Sequence, residues 1–165
     1  MGEGVYIFGL NGNRRKYTRD LQSFANKVLK NGKPKGSLYK FGHINSAVSR
    51  YMQTQGLKLE SQQTIILDKT ILKYRHHPKQ KKGAVVSFKR FVKVEAAVKK
   101  PRNVYIDTKR NRLVFVSTTK YSPQKVLKVI IEPNKKVKNN RYNVVTSIGV
   151  VNRMDMRGVQ FKKIK

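Results

Sequence analysis

At Pro101 the hydrophobic period of this chain changes, and that change constrains the fold more than any other feature. Before it, apolar residues recur at helical spacing. Leu21, Phe24, Ala25, Val28 and Leu29 form one stripe, Ile44, Ala47, Val48, Tyr51 and Met52 a second, Phe88, Phe91, Val94 and Val98 a third. After it come short alternating or apolar runs: NVYID, RLVFVS, VLKVIIE, NVVTSIGV and a final GVQFKKI. TKRN between the first two is a tight-hairpin signal, and a polar loop rich in lysine and asparagine separates the third from the fourth. Helices first and strands afterwards predict an α+β domain. N-terminal helices precede a four- to five-stranded antiparallel sheet and pack on one of its faces.

Punctuation refines this outline. VYIFGL reads as a short strand closed by Asn11-Gly12-Asn13; Thr18 reads as the N-cap of the first helix, and Gly32 follows its end. The connector NGKPKGS leads to a second helix from about Asn45, which Gly56 terminates. QTIIL is a buried strand, and Asp68 caps a helical turn that carries the decapeptide KYRHHPKQKK until Pro78 stops it. The third helix starts at Ser87. No internal repeat is visible in the 165 residues, the length of one ordinary domain. Residues 1–40 are expected to form a basic helical extension and residues 41–165 the main domain, the two making one compact unit.

Charge decides the class of partner. There are 38 Lys and Arg against 8 Asp and Glu, a formal net of +30. Self-repulsion at that level opposes compactness, so a partner of opposite sign is implied. A polyphosphate fits best, because neutralising phosphates releases counterions. A membrane surface would favour one basic amphipathic helix or a polybasic tail, whereas these cations run through the whole chain. The N-terminus has no long apolar region, no stretch approaches spanning length, and Tyr6 stands where myristoylation needs Ser or Thr. A protein of the cytoplasm, without a membrane partner, is expected.

The residue inventory excludes several chemistries. With no cysteine and three histidines, thiol catalysis and a structural zinc site have no support. The acids Glu3, Asp20, Glu60, Asp68, Glu95, Asp107, Glu132 and Asp155 are scattered singly, unlike the gathered carboxylates of a two-metal nuclease. No Gly-Lys-Ser/Thr loop suits a nucleoside triphosphate. Neither a metal nor another cofactor is expected. What remains is metal-free cleavage of RNA, whose 2′-hydroxyl is its own nucleophile. Such an enzyme supplies a base, an acid and fixed cations at phosphorus.

The decapeptide holds the candidates. His76 and His77 stand among Lys73, Arg75, Lys79, Lys81 and Lys82, a field that favours neutral imidazole and hence a usable base. The same residues read equally well as a basic surface gripping phosphate. His43 reads as a helix-entry residue. In YNVVTSI, Thr146 and Ser147 interrupt an apolar strand that Tyr142 begins, and strand threonines are ordinarily structural. Lys135, Lys136, Lys138 and Arg141 form a cluster suited to a phosphate backbone. Tyr39, Tyr51, Tyr74 and Tyr121 could stack bases, although the core edge claims most such tyrosines.

From residue 41 on, the order of these pieces resembles phage-encoded nuclease domains of the barnase–EndoU–colicin–RelE superfamily. The segments carrying the resemblance are Gly42-His43-Ile44, Asp68-Lys69-Thr70-Ile71, Lys79, Pro101 with Val104 and Asp107, and Asn143 with Thr146. It covers about three quarters of the chain, through order and spacing more than through any single motif. It implies a small α+β fold with a four-stranded antiparallel sheet, metal-independent RNA cleavage, and a role as toxin or virion cargo. The sequence departs from the pattern in one place. Lys73 stands where the family's histidine usually does, and His76 where its arginine does. Either the histidine has moved one helical turn along the same face, or the acid–base residue is gone.

The resulting expectation is a metal-independent endoribonuclease of phage or mobile-element origin. His76 or His77 moves protons, Lys73, Arg75 and Lys79 hold the scissile phosphate, and Thr146 with Tyr142 orients it. Lys81, Lys82, Arg141 and Ser147 extend the RNA contact. Structured RNA such as tRNA and an acidic immunity or antitoxin protein are the expected partners, in a host cytoplasm or a phage virion. The alternative is a non-catalytic, strongly basic nucleic-acid-binding protein, either a degenerate nuclease or a packaging protein. Charge alone would also suit a ribosome-associated protein.

Overall fold

The computed structural model describes residues 6–8, 14–16, 20–74, 91–122, 125–152 and 161–163. Tyr6–Phe8 (β1) and Arg14–Lys16 (β2) pair as a separate two-stranded ribbon. The first helix, α1 (Leu21–Asn31), is capped by Asp20 rather than Thr18; its carboxylate accepts from the Ser23 amide at 2.8 Å. Gly32 ends α1 in the left-handed region at φ 73°, its N–H donating to the Val28 carbonyl. Leu21, Phe24, Ala25 and Val28 are buried as their spacing predicts, and they enter the same core as the rest of the chain.

The next segment departs from the sequence expectation. The connector after α1 leads not directly to a helix but first to an edge strand, β3 (Leu38–His43), with Tyr39 and Phe41 buried and their rings in edge-to-face contact at 5.3 Å. A bulge at Gly42, φ 104°, shifts its register. Asn45 then caps α2 (Ser46–Thr54) by accepting from the Ala47 amide at 2.8 Å, and Val48 and Met52 anchor that helix. β4 (Gln63–Leu67) is buried on both faces. Ile66 enters the main core, while Ile65 and Leu67 join a smaller cluster on the opposite side. Asp68 opens the short α3 (Asp68–Lys73), though not as its N-cap, a position Leu67 holds. Its carboxylate accepts from the amides of Lys35, Ser37 and Lys69, tying the segment before β3 to the end of β4. α4 (Phe91–Lys99) buries Phe91, Val94, Ala97 and Val98; Ser87 and Phe88 lie outside the described residues.

The strands after Pro101 are β5 (Asn103–Asp107), β6 (Arg112–Ser122), β7 (Lys125–Val137), β8 (Asn140–Asn152) and β9 (Phe161–Lys163). β5 to β8 form the expected antiparallel meander, with Asn111 at φ 54° in its first turn. The whole sheet is larger than four or five strands and is mixed. Its order is β3-β4-β8-β7-β6-β5-β9, with β4 and β8 parallel and every other pair antiparallel. A strand apolar on both faces belongs inside a sheet, which is why QTIIL lies between β3 and β8. The main core fills the space between α1, α2, α4 and one face of this sheet, giving an α+β domain.

Two irregularities in the β7–β8 hairpin shape the surface beside α3. Ile130 pairs with Ser147 but Ile131 pairs with Val145, so Thr146 is the extra residue of a bulge. The bulge flips the alternation: Val145, Ile148 and Val150 face the main core, while Val144 and Val151 face the other side. Farther out the register shifts again at Pro133 and Asn134, the latter at φ 58°, and the hairpin bends there. Its end folds back over β4, so that Val137 and Tyr142 pack on Ile65, Leu67 and Val144. Asn143, fully buried, clamps this elbow. It accepts from the Asn134 amide and donates to the carbonyls of Ser61 and Gln63.

Candidate functional site

The parallel pairing of β4 with β8 stops at Ile66–Val145, and there the chain leaves the sheet to form α3. Past that point, among the described residues, no strand lies on the β4 side of β8. The Thr146 carbonyl and the Ile148 amide, two residues apart, point toward this vacated edge. The end of α3 supplies both missing partners. The Lys73 ammonium donates to the Thr146 carbonyl at 2.9 Å, and the buried Tyr74 hydroxyl accepts from the Ile148 amide at 2.7 Å. The same ammonium lies 5.0 Å from the centre of the Tyr74 ring.

Between α3 and the bulge lies an open cleft of about 400 Å³. Leu67 and Val144 form its apolar part. Around them stand the hydroxyl side chains Thr70 and Thr146, with the lysines Lys69, Lys73 and Lys135. Lys135 arrives because the hairpin end folds back; the same fold carries Lys138 toward the segment before β3, where its Cε would lie 4.0 Å from a Cβ at Gly36. Among the described residues, no acid lines the cleft. Glu132 holds Lys135 at 3.2 Å from outside, and among the described residues Lys69 and Lys73 have no ion-pair partner. The cleft is a cationic hollow with hydrogen-bonding hydroxyls and an aliphatic floor, a composition suited to an anion that carries an organic part.

The candidates from the sequence divide clearly. Lys73 and Thr146, far apart in the chain, meet. Tyr142 is half-buried beneath the folded hairpin end, packed on the floor cluster. Ser147 lies opposite Ile130 and does not line the cleft. Arg141 does not line the cleft. It pairs with Glu60 at 2.8 Å and donates to the Asn134 carbonyl at 2.9 Å, bracing the elbow. His43 is exposed at the Gln63 end of β4, while the cleft lies at the Leu67 end, roughly 13 Å away at strand spacing. Tyr39 and Tyr74 are core residues rather than stacking platforms, and Tyr51 packs partly against the same core. Arg75, His76, His77, Lys79, Lys81 and Lys82 lie outside the described residues, as does the side chain of Tyr121.

Lys69 and Thr70 line the cleft, but the sequence names them only within the resemblance segment and gives them no role, although a signal exists. Lys69 and Lys73 are four apart on α3, one helical face. Among the described residues no three metal-binding side chains gather, and no helix is long and apolar enough to cross a membrane. Neither a family model, nor a curated protein, nor a solved structure matches the chain.

Proposed function

We propose that this protein is a metal-independent endoribonuclease that seats the scissile phosphate in the cleft between α3 and the β8 bulge. The observation carrying this reading is the contact of Lys73 with Thr146 at the edge of a lysine-lined hollow with no acid among its described lining residues. In the reaction, Lys69 and Lys73 stabilise the charge developing on phosphorus, and the Thr146 hydroxyl, turning from its long 3.4 Å bond to the Ile130 carbonyl, orients a phosphoryl oxygen. The 2′-hydroxyl attacks the adjacent phosphorus and loses its proton to a base, while an acid protonates the departing 5′-oxygen, leaving a 2′,3′-cyclic phosphate. Imidazole suits both proton transfers near neutral pH. His76 and His77 follow closely on Tyr74, whose hydroxyl is fixed to β8, and are assigned these roles. The resemblance to phage nucleases of the barnase–EndoU–colicin–RelE superfamily supports the same chemistry, and phage or mobile-element origin comes with it. An acidic immunity protein is the corresponding protein partner.

The test is incubation with total RNA and with tRNA in EDTA, followed by mapping of the new ends. Cyclic phosphates are expected. The double variant His76→Ala with His77→Ala should abolish cleavage and leave RNA affinity largely intact; undiminished cleavage removes both histidines from the mechanism. A second reading is favoured by one observation, that no described residue lining the cleft is an acid–base group of ordinary neutral pKa. On that reading the protein grips nucleic acid without cutting it. RNA and DNA then bind alike, with steep salt dependence and no product.

A further inference from the structure

We propose that Glu132 is a built-in competitor of the polyanion: its carboxylate holds the Lys135 ammonium, and a phosphate entering the cleft has to draw that ammonium away. The inference rests on the function proposed above and concerns what sets the strength of binding at that site. Glu132 acts through Lys135 and is therefore a positioning residue. The sheet puts its carboxylate in place. On the face away from the main core, Glu132 of β7 stands opposite Val144 of β8, and Val144 belongs to the cleft floor. Directly opposed residues carry their side chains on one face with Cβ atoms about 5 Å apart, so Glu132 borders the floor without lining the cleft. On its other side Leu113 of β6 pairs with Ile131, which brings Arg112 level with Glu132. The carboxylate thus lies between two cations. Its Oε2 is 3.2 Å from the Lys135 ammonium and its Oε1 3.9 Å from the Arg112 guanidinium.

In a regular strand, residues three apart point to opposite faces. The bend at Pro133 and Asn134 instead turns Lys135 back over Glu132, so the elbow that delivers Lys135 to the cleft also gives it this partner. Both side chains are open to water, 42% exposed for Lys135 and 33% for Glu132. A pair so exposed is weak, which lets a phosphate displace the carboxylate. When Lys135 turns to the phosphate, Arg112 still stands beside Glu132, and the exchange leaves no carboxylate without a cation. In a chain with a net charge of +30, a tether of this kind limits the grip on a polyanion at the site itself.

Binding of a labelled 2′-O-methyl oligoribonucleotide, which has no free 2′-hydroxyl to attack its own phosphates, measures the exchange apart from cleavage. In the full protein Glu132→Gln should tighten binding about threefold at about 0.1 M salt, the scale of an exposed ion pair, and the gain should shrink as salt rises. Glu132→Ala should do the same, which separates the lost charge from any contact of the new amide. Glu132→Asp keeps the charge and should bind as the parent does. Glu60→Gln removes an equal charge from a pair outside the cleft, that with Arg141, and should change affinity much less. In a Lys135→Ala background the extra gain from Glu132→Gln should vanish. Equal gains from Glu132→Gln and Glu60→Gln, or a gain that persists without Lys135, overturn the tether and leave the proposed function standing. A parent that does not bind the oligonucleotide overturns that function and the tether with it.

Discussion

Asn143 offers the sharpest test of how the cleft is built, because its side chain holds the elbow without lining the cleft. Its side chain is fully buried and makes three hydrogen bonds, to the Asn134 amide at 3.3 Å, the Ser61 carbonyl at 2.7 Å and the Gln63 carbonyl at 3.3 Å. Asn143→Ala leaves one backbone donor and two carbonyls without these partners. The short bond to Ser61 dominates, and an abandoned buried group costs about 1–3 kcal/mol, so a total loss of about 3 kcal/mol is expected. For a domain of this size that corresponds to a fall in Tm of about 6–12 °C, read by calorimetry or circular dichroism. Asn143→Asp should be worse near neutral pH, since a carboxylate cannot donate to the two carbonyls and would be buried facing them. Burial beside those carbonyls raises the folded-state pKa of the introduced carboxyl above its unfolded value. The neutral form is then the tolerated one. Stability of this variant should be greatest at acid pH and fall as pH rises through the folded pKa, relative to the parent over the same range. A parent-like Tm in Asn143→Ala, or a pH profile for Asn143→Asp parallel to that of the parent, would refute the claim that this amide clamps the elbow.

Two other substitutions separate scaffold from site. Tyr74→Phe removes the acceptor of the buried Ile148 amide at 2.7 Å and should destabilise the protein by about 1–3 kcal/mol in urea denaturation. Loosening the end of α3 should also lower kcat more than it raises KM, a split that a purely global loss of stability would not produce below the melting range. Arg141→Ala removes an exposed ion pair with Glu60 and a bond to the Asn134 carbonyl, so it should cost about 1 kcal/mol and leave the salt slope of RNA binding unchanged. Lys69→Ala should do the reverse, keeping Tm and reducing that slope by about one in a filter-binding titration.

Those contrasts reflect which features a linear reading can reach. Local periodicity locates α1, α2, β4 and the meander because each carries its own stripe or alternation. The cap of α1 is Asp20 instead of Thr18, a shift within one turn that stripes do not resolve. β3 is invisible for a different reason. Only Tyr39 and Phe41 face the core, Pro34 and Gly36 punctuate the approach, and the Gly42 bulge breaks the alternation before it can repeat. The parallel pairing of β4 with β8 joins segments far apart in sequence and leaves no local trace, so local patterns predict a sheet that is smaller and wholly antiparallel. The bulge does leave one. In NVVTSIGV the inward positions fall at Val145, Ile148 and Val150, a broken period of two with Thr146 and Ser147 at the break. The lysine and asparagine segment after Glu132 reads as a loop, yet it is strand that bends at Asn134, a residue tolerant of positive φ, and so delivers Lys135 to the cleft. No local pattern brings Lys73 and Thr146 together, because they are 73 residues apart and meet only through the end of α3 against β8.

The acids explain why so unbalanced a chain has a fold and a cationic hollow together. Six of the eight are among the described residues, and each is committed locally. Asp20 caps α1, Asp68 binds three backbone amides, and Asp107 accepts from the amides of Lys109 and Arg110 in the β5–β6 turn. Glu95 accepts from the Leu21 amide and the Tyr39 hydroxyl and pairs with Lys99, Glu60 braces the elbow through Arg141, and Glu132 bridges Lys135 and Arg112. Carboxylates placed this way secure turns, caps and packing without offsetting the charge of the surface as a whole. If RNA is the partner, as proposed, it neutralises the residual repulsion, so added RNA should raise Tm by mass action and high salt should reduce the gain. It also confines the chemistry. On the proposed reading, with the six described carboxylates held in the scaffold, proton transfer at the cleft would fall to the two histidines that follow Tyr74, the nearest in sequence to the lysines of α3.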